Sequence, residues 1–202
     1  MRFYRIVLNL ISSLSRNILG LTLGLVATPI ILEYLGEERF GAYRVLLDWF
    51  GQLGLLEFGL FTALLPIFAK SLSPQSKISP LAVSREAKKK YLQVIFYQGL
   101  GTLVVLIFLD TLIPVEAEVR QDLQMALVVL ALSLLFSFSQ VYRAYLDSSQ
   151  RGYILSLTTM VQNMITIGLS ILAAYQGYGI AGQAIAFSAG VGTSFFILYL
   201  NS

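Results

Sequence analysis

Long apolar stretches alternate with short polar segments along most of the chain. Stretches 91–109 and 123–142 carry no charged residue, and 152–202 carries none either but is too long for one membrane crossing. The glycine-rich segment QGYGIAG at 176–182 predicts a turn that divides it. The predicted spans are 6–32, 43–69, 91–109, 123–142, 152–175 and 181–200.

These spans are predicted to be helices rather than strands. Membrane strands have about 10 residues and alternate apolar with polar positions, whereas these runs are longer and apolar on every face. An unpaired backbone amide costs several kcal/mol in hydrocarbon, and a helix pairs its own amides. The sequence therefore predicts an all-α membrane protein with six transmembrane helices over residues 1–202.

Composition narrows the function classes. Hydrophobic residues make up 56% of the chain and charged residues only 12%, against about 25% in soluble domains. So few polar groups cannot cover a water-facing surface, and a net charge of +3 does not suit a nucleic-acid partner. A disordered chain is excluded by the high apolar content.

Residues with the usual enzyme chemistry are missing from the sequence. The 202 residues include no cysteine and no histidine, which excludes disulfides, thiolate nucleophiles and imidazole metal ligands. Phosphate-loop, zinc-protease and nucleophile-elbow motifs are also absent. We therefore expect neither an enzyme nor a bound cofactor or metal.

Charge alternates from one connector to the next. Eleven Lys and Arg residues fall on the N-terminal segment and the second and fourth connectors, and two fall on the first and third. The positive-inside rule then predicts a multi-pass protein of the cytoplasmic membrane with both termini in the cytoplasm. The basic connector 70–90 either lies on anionic membrane lipids or binds a polyanionic lipid head group.

Charged residues within the spans are the candidate functional groups. Glu57 lies near the middle of span two, so it must face a water-filled cavity, pair with a cation or stay protonated. Arg44 and Asp48 are four residues apart and can pair on one helix face, or Arg44 reaches the outer head groups. Arg16 is either an inner-leaflet anchor or a cation that faces an anionic substrate.

Uncharged polar residues in spans four and five allow two interpretations. They either form interhelical hydrogen bonds, at about 0.6 kcal/mol each, or line a cavity. Small residues spaced by four in spans one and six favour close helix packing. The polar residues are Ser133, Ser137 and Gln140 in span four and Thr159, Gln162, Asn163 and Thr166 in span five.

Four sequence features follow one another along the chain in a characteristic order. They are a first helix with an arginine before a glycine-rich apolar run, LGEERFGAYR at 35–44, LLEFGLFTAL at 55–64 and YGIAGQAIA at 178–186. This order resembles the amino-terminal half of polysaccharide flippases of the O-antigen and teichoic-acid export type. Those proteins belong to the multidrug/oligosaccharidyl-lipid/polysaccharide exporter superfamily.

The resemblance implies one six-helix lobe of a two-lobe exporter. Such proteins move a polyprenyl-pyrophosphate-linked oligosaccharide across the cytoplasmic membrane by alternating access. By position, Arg16 and Arg44 would hold the pyrophosphate, Asp48 and Glu57 would be their partners or ion-coupling groups, and Gln162 and Asn163 would line the cavity. A second lobe is absent from these residues, so we expect that they are a fragment or truncated product of a longer protein, or that they pair with a second half-transporter or as a homodimer.

Two other functions are also consistent with the sequence. A drug or ion exporter lobe of the same superfamily would favour cationic substrates, with Glu57 and Asp48 dominant. A membrane subunit that transports nothing and anchors a glycan-assembly complex is the alternative outside transport.

Overall fold

The computed structural model describes residues 2–202, with side chains described from Ile6 onward. All regular structure in this part of the chain is helical, and two 3₁₀ turns, Gly54–Glu57 and Leu134–Phe138, interrupt longer helices. The helices are α1 (Arg2–Leu35), α2 (Glu37–Leu53), α3 (Leu60–Ser71), α4 (Pro80–Ile107), α5 (Leu109–Leu112), α6 (Ala117–Ser133), α7 (Ser139–Ser148), α8 (Gly152–Tyr175) and α9 (Gly179–Asn201).

Six membrane crossings can be built from these helices. Five segments are long and apolar enough to cross alone: α1, α4, α6 continued by α7, α8 and α9. The sixth crossing is α2 followed by α3, which are bent by 46° at the break between them. The prediction of an all-α membrane protein is confirmed.

The helices extend well beyond the apolar runs. The connector between the first two predicted spans, 6–32 and 43–69, is reduced to Gly36, whose φ of 84° reverses the chain between α1 and α2. Lys88, Lys89 and Lys90 belong to α4 rather than to a loop, and Arg143 belongs to α7. Charge marks where a helix leaves the hydrocarbon, and it does not end the helix, because lysine and arginine are good helix formers.

Helix α1 packs along α8 in the same direction. The Asn9 side chain accepts a hydrogen bond from the Tyr153 amide at 2.7 Å near the start of both helices. The rings of Tyr34 and Tyr175 meet edge to face at the other end, with centroids 5.5 Å apart. This side-by-side packing fixes which α1 residues face the bundle.

Helices α8 and α9 run antiparallel and approach closely at small residues. A Cβ atom added to Gly190 would overlap Thr166 Oγ1 and lie 3.1 Å from the Gln162 carbonyl oxygen. Farther along, Gln183 is fully buried and exchanges hydrogen bonds with Ser170, whose carbonyl oxygen accepts from Gln183 Nε2 at 2.9 Å. Small residues and one buried amide therefore hold this helix pair together.

Two apolar clusters complete the packing. The larger one joins α2, α4, α6 and α9 and includes the fully buried Leu46, Leu123, Leu130 and Ile180. The smaller one joins α3, α4 and α7 around Phe68. The broken crossing α2–α3 is therefore anchored to different partners above and below its break.

Charge is segregated between the two ends of the bundle. At the end where α1 meets α2, Arg39 pairs with Glu118 at 2.6 Å and Arg120 with Asp110 at 2.5 Å, so both arginines there are neutralised. The opposite, basic end carries Lys70, Lys77, Arg85 and the three lysines of α4. Arg2 and Arg5, also predicted for the basic end, have side chains outside the described residues.

Asp122 caps the start of α9 from a neighbouring helix. Its two carboxylate oxygens accept hydrogen bonds from the Ile180 amide, at 2.5 Å, and the Ala181 amide, at 2.9 Å. Gly179 has a φ of 58°, and a Cβ atom there would collide with the Asp122 carboxylate. This glycine is required for both the backbone conformation and the close approach of the cap.

Replacement of Gly190 with alanine should separate α8 from α9 and destabilise the bundle. We expect the free energy of unfolding to fall by about 1–3 kcal/mol, as for other overpacked sites. Thermal unfolding of the detergent-solubilised protein measures the change, and Gly190→Ala combined with Thr166→Ala should recover part of it.

Gly168→Ala is the matched control, because a Cβ atom at Gly168 on α8 meets no atom within 4 Å. It should leave stability unchanged or raise it slightly. Equal losses for Gly168→Ala and Gly190→Ala would contradict the close-packing explanation.

Candidate functional site

Two arginines on different helices lie at a similar depth in the bundle. Arg16 lies on the face of α1 that carries Asn9 and Gly20 toward α8. Arg143 lies on α7, and its Nη2 donates to the hydroxyl of Ser194 on α9 at 3.4 Å. Ser194 lies one turn beyond Gly190, which contacts Gln162 and Thr166, so Arg143 contacts α9 at about the level of Thr159 on α8.

Neither arginine has a carboxylate partner among the described residues. The three ion pairs found from Ile6 onward join other residues. Arg16 donates only to Asn17 Oδ1 at 3.2 Å and to Ser13 Oγ at 3.5 Å, and the buried Nε of Arg143 has no partner in this part of the chain. The site therefore holds two positive charges with unused donors, which suits an anion.

The pair lies within the membrane-spanning part, toward the basic end. Arg143 is about 8 Å from the end of α7 at Ser148, at 1.5 Å per residue. Since α1 and α8 are parallel and in contact at Asn9 with Tyr153 and at Gly20 with Asn163, Arg16 lies level with Thr159. An anion bound here would be held near the basic end of the bundle.

Gln162 and Asn163 lie about one turn deeper than this level. Both are half-buried on α8, and Asn163 Nδ2 would be 3.5 Å from a Cβ atom on Gly20 of α1. Neither side chain forms a hydrogen bond with the residues described. The structure thus places Asn163 on the seam between α1 and α8 that contains Arg16, whereas the Gln162 carbonyl lies beside Gly190 of α9.

Arg44 and Asp48 do not join this site. Both are exposed on α2, and no ion pair links them among the described residues. A basic residue that precedes an acidic one by four positions is the weaker order for a helical ion pair. Measured from the reversal at Gly36, Arg44 is about 12 Å along α2, whereas Arg16 is about 30 Å back along α1.

Glu57 lies at the break between α2 and α3, where it caps a helix. Its Oε1 accepts a hydrogen bond from the Phe61 amide at 2.9 Å in the first turn of α3, and another from the Tyr91 hydroxyl on α4. The positive end of the α3 dipole also favours a carboxylate there. The acid is thus stabilised by a helix terminus and a tyrosine, contacts that the sequence does not predict.

The same face of α4 supports the rest of the break. Gln98 Nε2 donates to the Leu53 carbonyl oxygen at 3.2 Å, which satisfies a group that the end of α2 leaves unpaired. Phe58 and Gly59 both adopt left-handed backbone conformations, with φ of 49° and 72°. A Cβ atom on Gly101 would lie 2.6 Å from Leu53 Cδ2, so glycine allows α4 to approach the broken segment.

Arg143 and Gln183 are the main residues that the sequence did not single out. Arg143 follows a charge-free run and is predicted as a connector residue, but α7 continues past it and turns it inward. Gln183 stands within the YGIAGQAIA segment, where a fully buried amide between apolar neighbours signals an interhelical bond. A helical extension of span four by two turns would have found Arg143.

Comparison of the chain with protein-family models, with curated proteins and with solved structures finds no match. Its function therefore has to be inferred from the chemistry of the site.

Replacement of Glu57 with alanine should weaken the support of the broken crossing. Loss of the acceptor leaves the Phe61 amide and the Tyr91 hydroxyl unpaired, at about 1–3 kcal/mol of unfolding free energy. Glu57→Gln keeps a side-chain oxygen and should lose less. Thermal unfolding in detergent gives the order of the two variants.

Asp48→Asn is the control for Glu57, because Asp48 is an exposed acid of the same crossing. It should leave the unfolding temperature unchanged. If Glu57→Ala were as stable as the parent protein, the carboxylate would not be supporting the break.

Proposed function

We propose that this chain is a membrane transport protein whose Arg16–Arg143 pair binds the pyrophosphate of a polyprenyl-linked oligosaccharide. The observation that supports this most directly is that two arginines at a similar depth have no carboxylate partner among the described residues, and that one of them has a buried donor without a partner there. The resemblance to polysaccharide flippases points to the same substrate class through different segments of the chain.

The chemistry of the pair fits a pyrophosphate. Guanidinium groups form paired, charge-assisted hydrogen bonds with phosphate oxygens, and two of them match two linked phosphates. Moving an unpaired pyrophosphate through hydrocarbon is prohibitive because of its desolvation cost. Arg16 and Arg143, with Gln162 and Asn163 one turn deeper, offer a polar path within the bundle.

Alternating access needs a second wall for the cavity. A stripe of exposed leucines on α1, opposite the face that meets α8, is available for a second half-transporter or a second copy of the chain. The stripe consists of Leu10, Leu14, Leu21 and Leu25, which are 60–78% exposed. Such a partner is part of the proposed function, as the resemblance implies.

The carboxylates favour an anionic substrate over a cationic drug. A cation exporter would need an acid that is free to bind its substrate, but Glu57 accepts two hydrogen bonds and caps α3. Asp48 is exposed on α2, away from the arginine pair. No contact described here specifically favours a scaffold subunit. A scaffold subunit would bind no polyprenyl pyrophosphate in the titration described below.

We also place the protein in the cytoplasmic membrane with its basic end facing the cytoplasm. The excess of lysine and arginine at one end of the bundle supports this orientation through the positive-inside rule. With six crossings both termini lie at the basic end. The arginine pair would then receive its substrate from the inner leaflet.

Charge-neutral replacement of either arginine should weaken binding of a polyprenyl pyrophosphate. A charge-assisted hydrogen bond contributes about 1.5–3 kcal/mol, so Arg16→Gln and Arg143→Gln should each reduce affinity roughly 10- to 100-fold. Titration of the purified protein in nanodiscs, with uncharged polyprenol as reference, measures the effect. Equal binding of the two lipids would refute recognition of the phosphate.

Arg151→Gln is the matched control, since Arg151 is an exposed arginine at the basic end. It should bind the probe like the parent protein. Arg44→Gln tests which arginine binds the pyrophosphate together with Arg16. If Arg44→Gln lost affinity and Arg143→Gln did not, the pair would be Arg16 with Arg44, as predicted from the sequence, and not Arg16 with Arg143.

The absence of cysteine makes the orientation directly testable. Gln75→Cys lies exposed at the basic end and Gln176→Cys lies exposed at the acidic end. In intact cells an impermeant maleimide should label Gln176→Cys, whereas Gln75→Cys should react only after permeabilisation. The reverse pattern would place the arginine pair toward the outer leaflet and exclude loading from inside.

A further inference from the structure

A second basic site lies on the outside of the bundle, in a groove between α4, α7 and α9. The groove encloses about 440 Å³. Its rim is Arg85, Lys88 and Lys89 on α4, and its floor is apolar and aromatic: Leu92, Phe138, Tyr142 and Phe195. Cations therefore stand at the basic end of the groove, and apolar side chains continue from them toward the membrane centre.

Two of the three rim cations, Arg85 and Lys88, form no ion pair within the described chain. Lys89 pairs with Glu86 at 2.8 Å, but Lys88 has no carboxylate partner there, and its Nζ lies 4.8 Å from the centre of the Tyr142 ring. Arg85 likewise forms no ion pair or hydrogen bond from Ile6 onward. The ring beneath Lys88 holds its ammonium group at the mouth of the groove.

We propose that this groove binds an anionic phospholipid, with its phosphate between Arg85 and Lys88 and one acyl chain against Leu92, Phe138 and Phe195. Charge complementarity selects this occupant, because cations at head-group depth above an apolar channel match a phosphate attached to a hydrocarbon chain. A zwitterionic lipid has the same chain but brings its own cation to the rim.

The lipid groove is separate from the arginine pair, although the two share helices. Tyr142 and Phe195 face the groove, whereas their sequence neighbours Arg143 and Ser194 face inward and contact each other. A bound lipid would thus pack on the outer side of the helices that hold Arg143. The proposal does not depend on the transport function.

Native mass spectrometry of the detergent-solubilised protein tests the groove with dioleoyl phosphatidylglycerol. Phosphatidylcholine with the same chains should bind at least tenfold more weakly. At about 1 kcal/mol for each cation near the surface, Arg85→Gln with Lys88→Gln should lower phosphatidylglycerol affinity roughly 30-fold. Arg85→Lys with Lys88→Arg keeps both charges and should bind like the parent protein.

Lys77→Gln with Lys90→Gln is the matched control. It removes the same charge from the same end, but Lys77 is a connector residue and Lys90 lines a different hollow, on the α3 side of α4. This control should retain affinity. An equal loss in both double variants, or equal affinity for the two lipids, would overturn the proposal in favour of unspecific surface attraction.

Two further measurements distinguish a whole lipid from its head group alone. Glycerol 1-phosphate should not displace phosphatidylglycerol, since it lacks the acyl chain, and displacement at equal concentration would overturn lipid binding in favour of a free-phosphate site. In a Trp49→Phe background, which removes the single tryptophan, Leu92→Trp should be quenched by brominated phosphatidylglycerol. Unquenched fluorescence would show that no acyl chain occupies the groove.

Discussion

Every backbone polar group in the hydrocarbon must find a partner inside the protein, and the interrupted helices show how this chain meets that requirement. The break in the second crossing leaves a carbonyl at Leu53 and amides at the start of α3. Gln98 satisfies the carbonyl and Glu57 satisfies the Phe61 amide. At the start of α9, Asp122 does the same for two amides. These polar side chains within the bundle thus form hydrogen bonds with backbone groups that the helices leave unpaired.

Close helix packing makes these contacts possible. Gly101 lets α4 approach the broken crossing, Gly179 admits the Asp122 carboxylate, and Gly190 brings α9 against α8. Apolar burial alone favours such contacts little in lipid, where the surrounding tails are as apolar as the side chains. Small residues and buried hydrogen bonds, such as that between Ser170 and Gln183, therefore carry much of the specificity of the fold.

Arg16 and Arg143 differ from Glu57 and Asp122 in their hydrogen bonding. The carboxylates of Glu57 and Asp122 accept hydrogen bonds within the chain, whereas neither arginine pairs with an acid among the described residues and the buried Arg143 Nε has no partner there. An arrangement that costs stability in the absence of a ligand is what an anion-binding site requires. The lack of partners for the arginines favours a binding role for them. The hydrogen bonds of Glu57 and Asp122 favour a structural role for those two residues.

The sequence by itself determined the all-α membrane class, because uninterrupted apolar length leaves the backbone only the helix in hydrocarbon. It also identified Glu57, Gln162 and Asn163 as polar residues within the apolar spans, and it left Arg16 either at the inner boundary or within the first helix. Only the tertiary structure decided their partners: α7 continues past the apolar run and brings Arg143 to Ser194 of α9, while the reversal at Gly36 keeps Arg44 away from that level. The length of an apolar run is a local property of the sequence. The relative positions of side chains on α1, α7 and α9 depend on how the helices pack, and a local sequence pattern does not determine that packing.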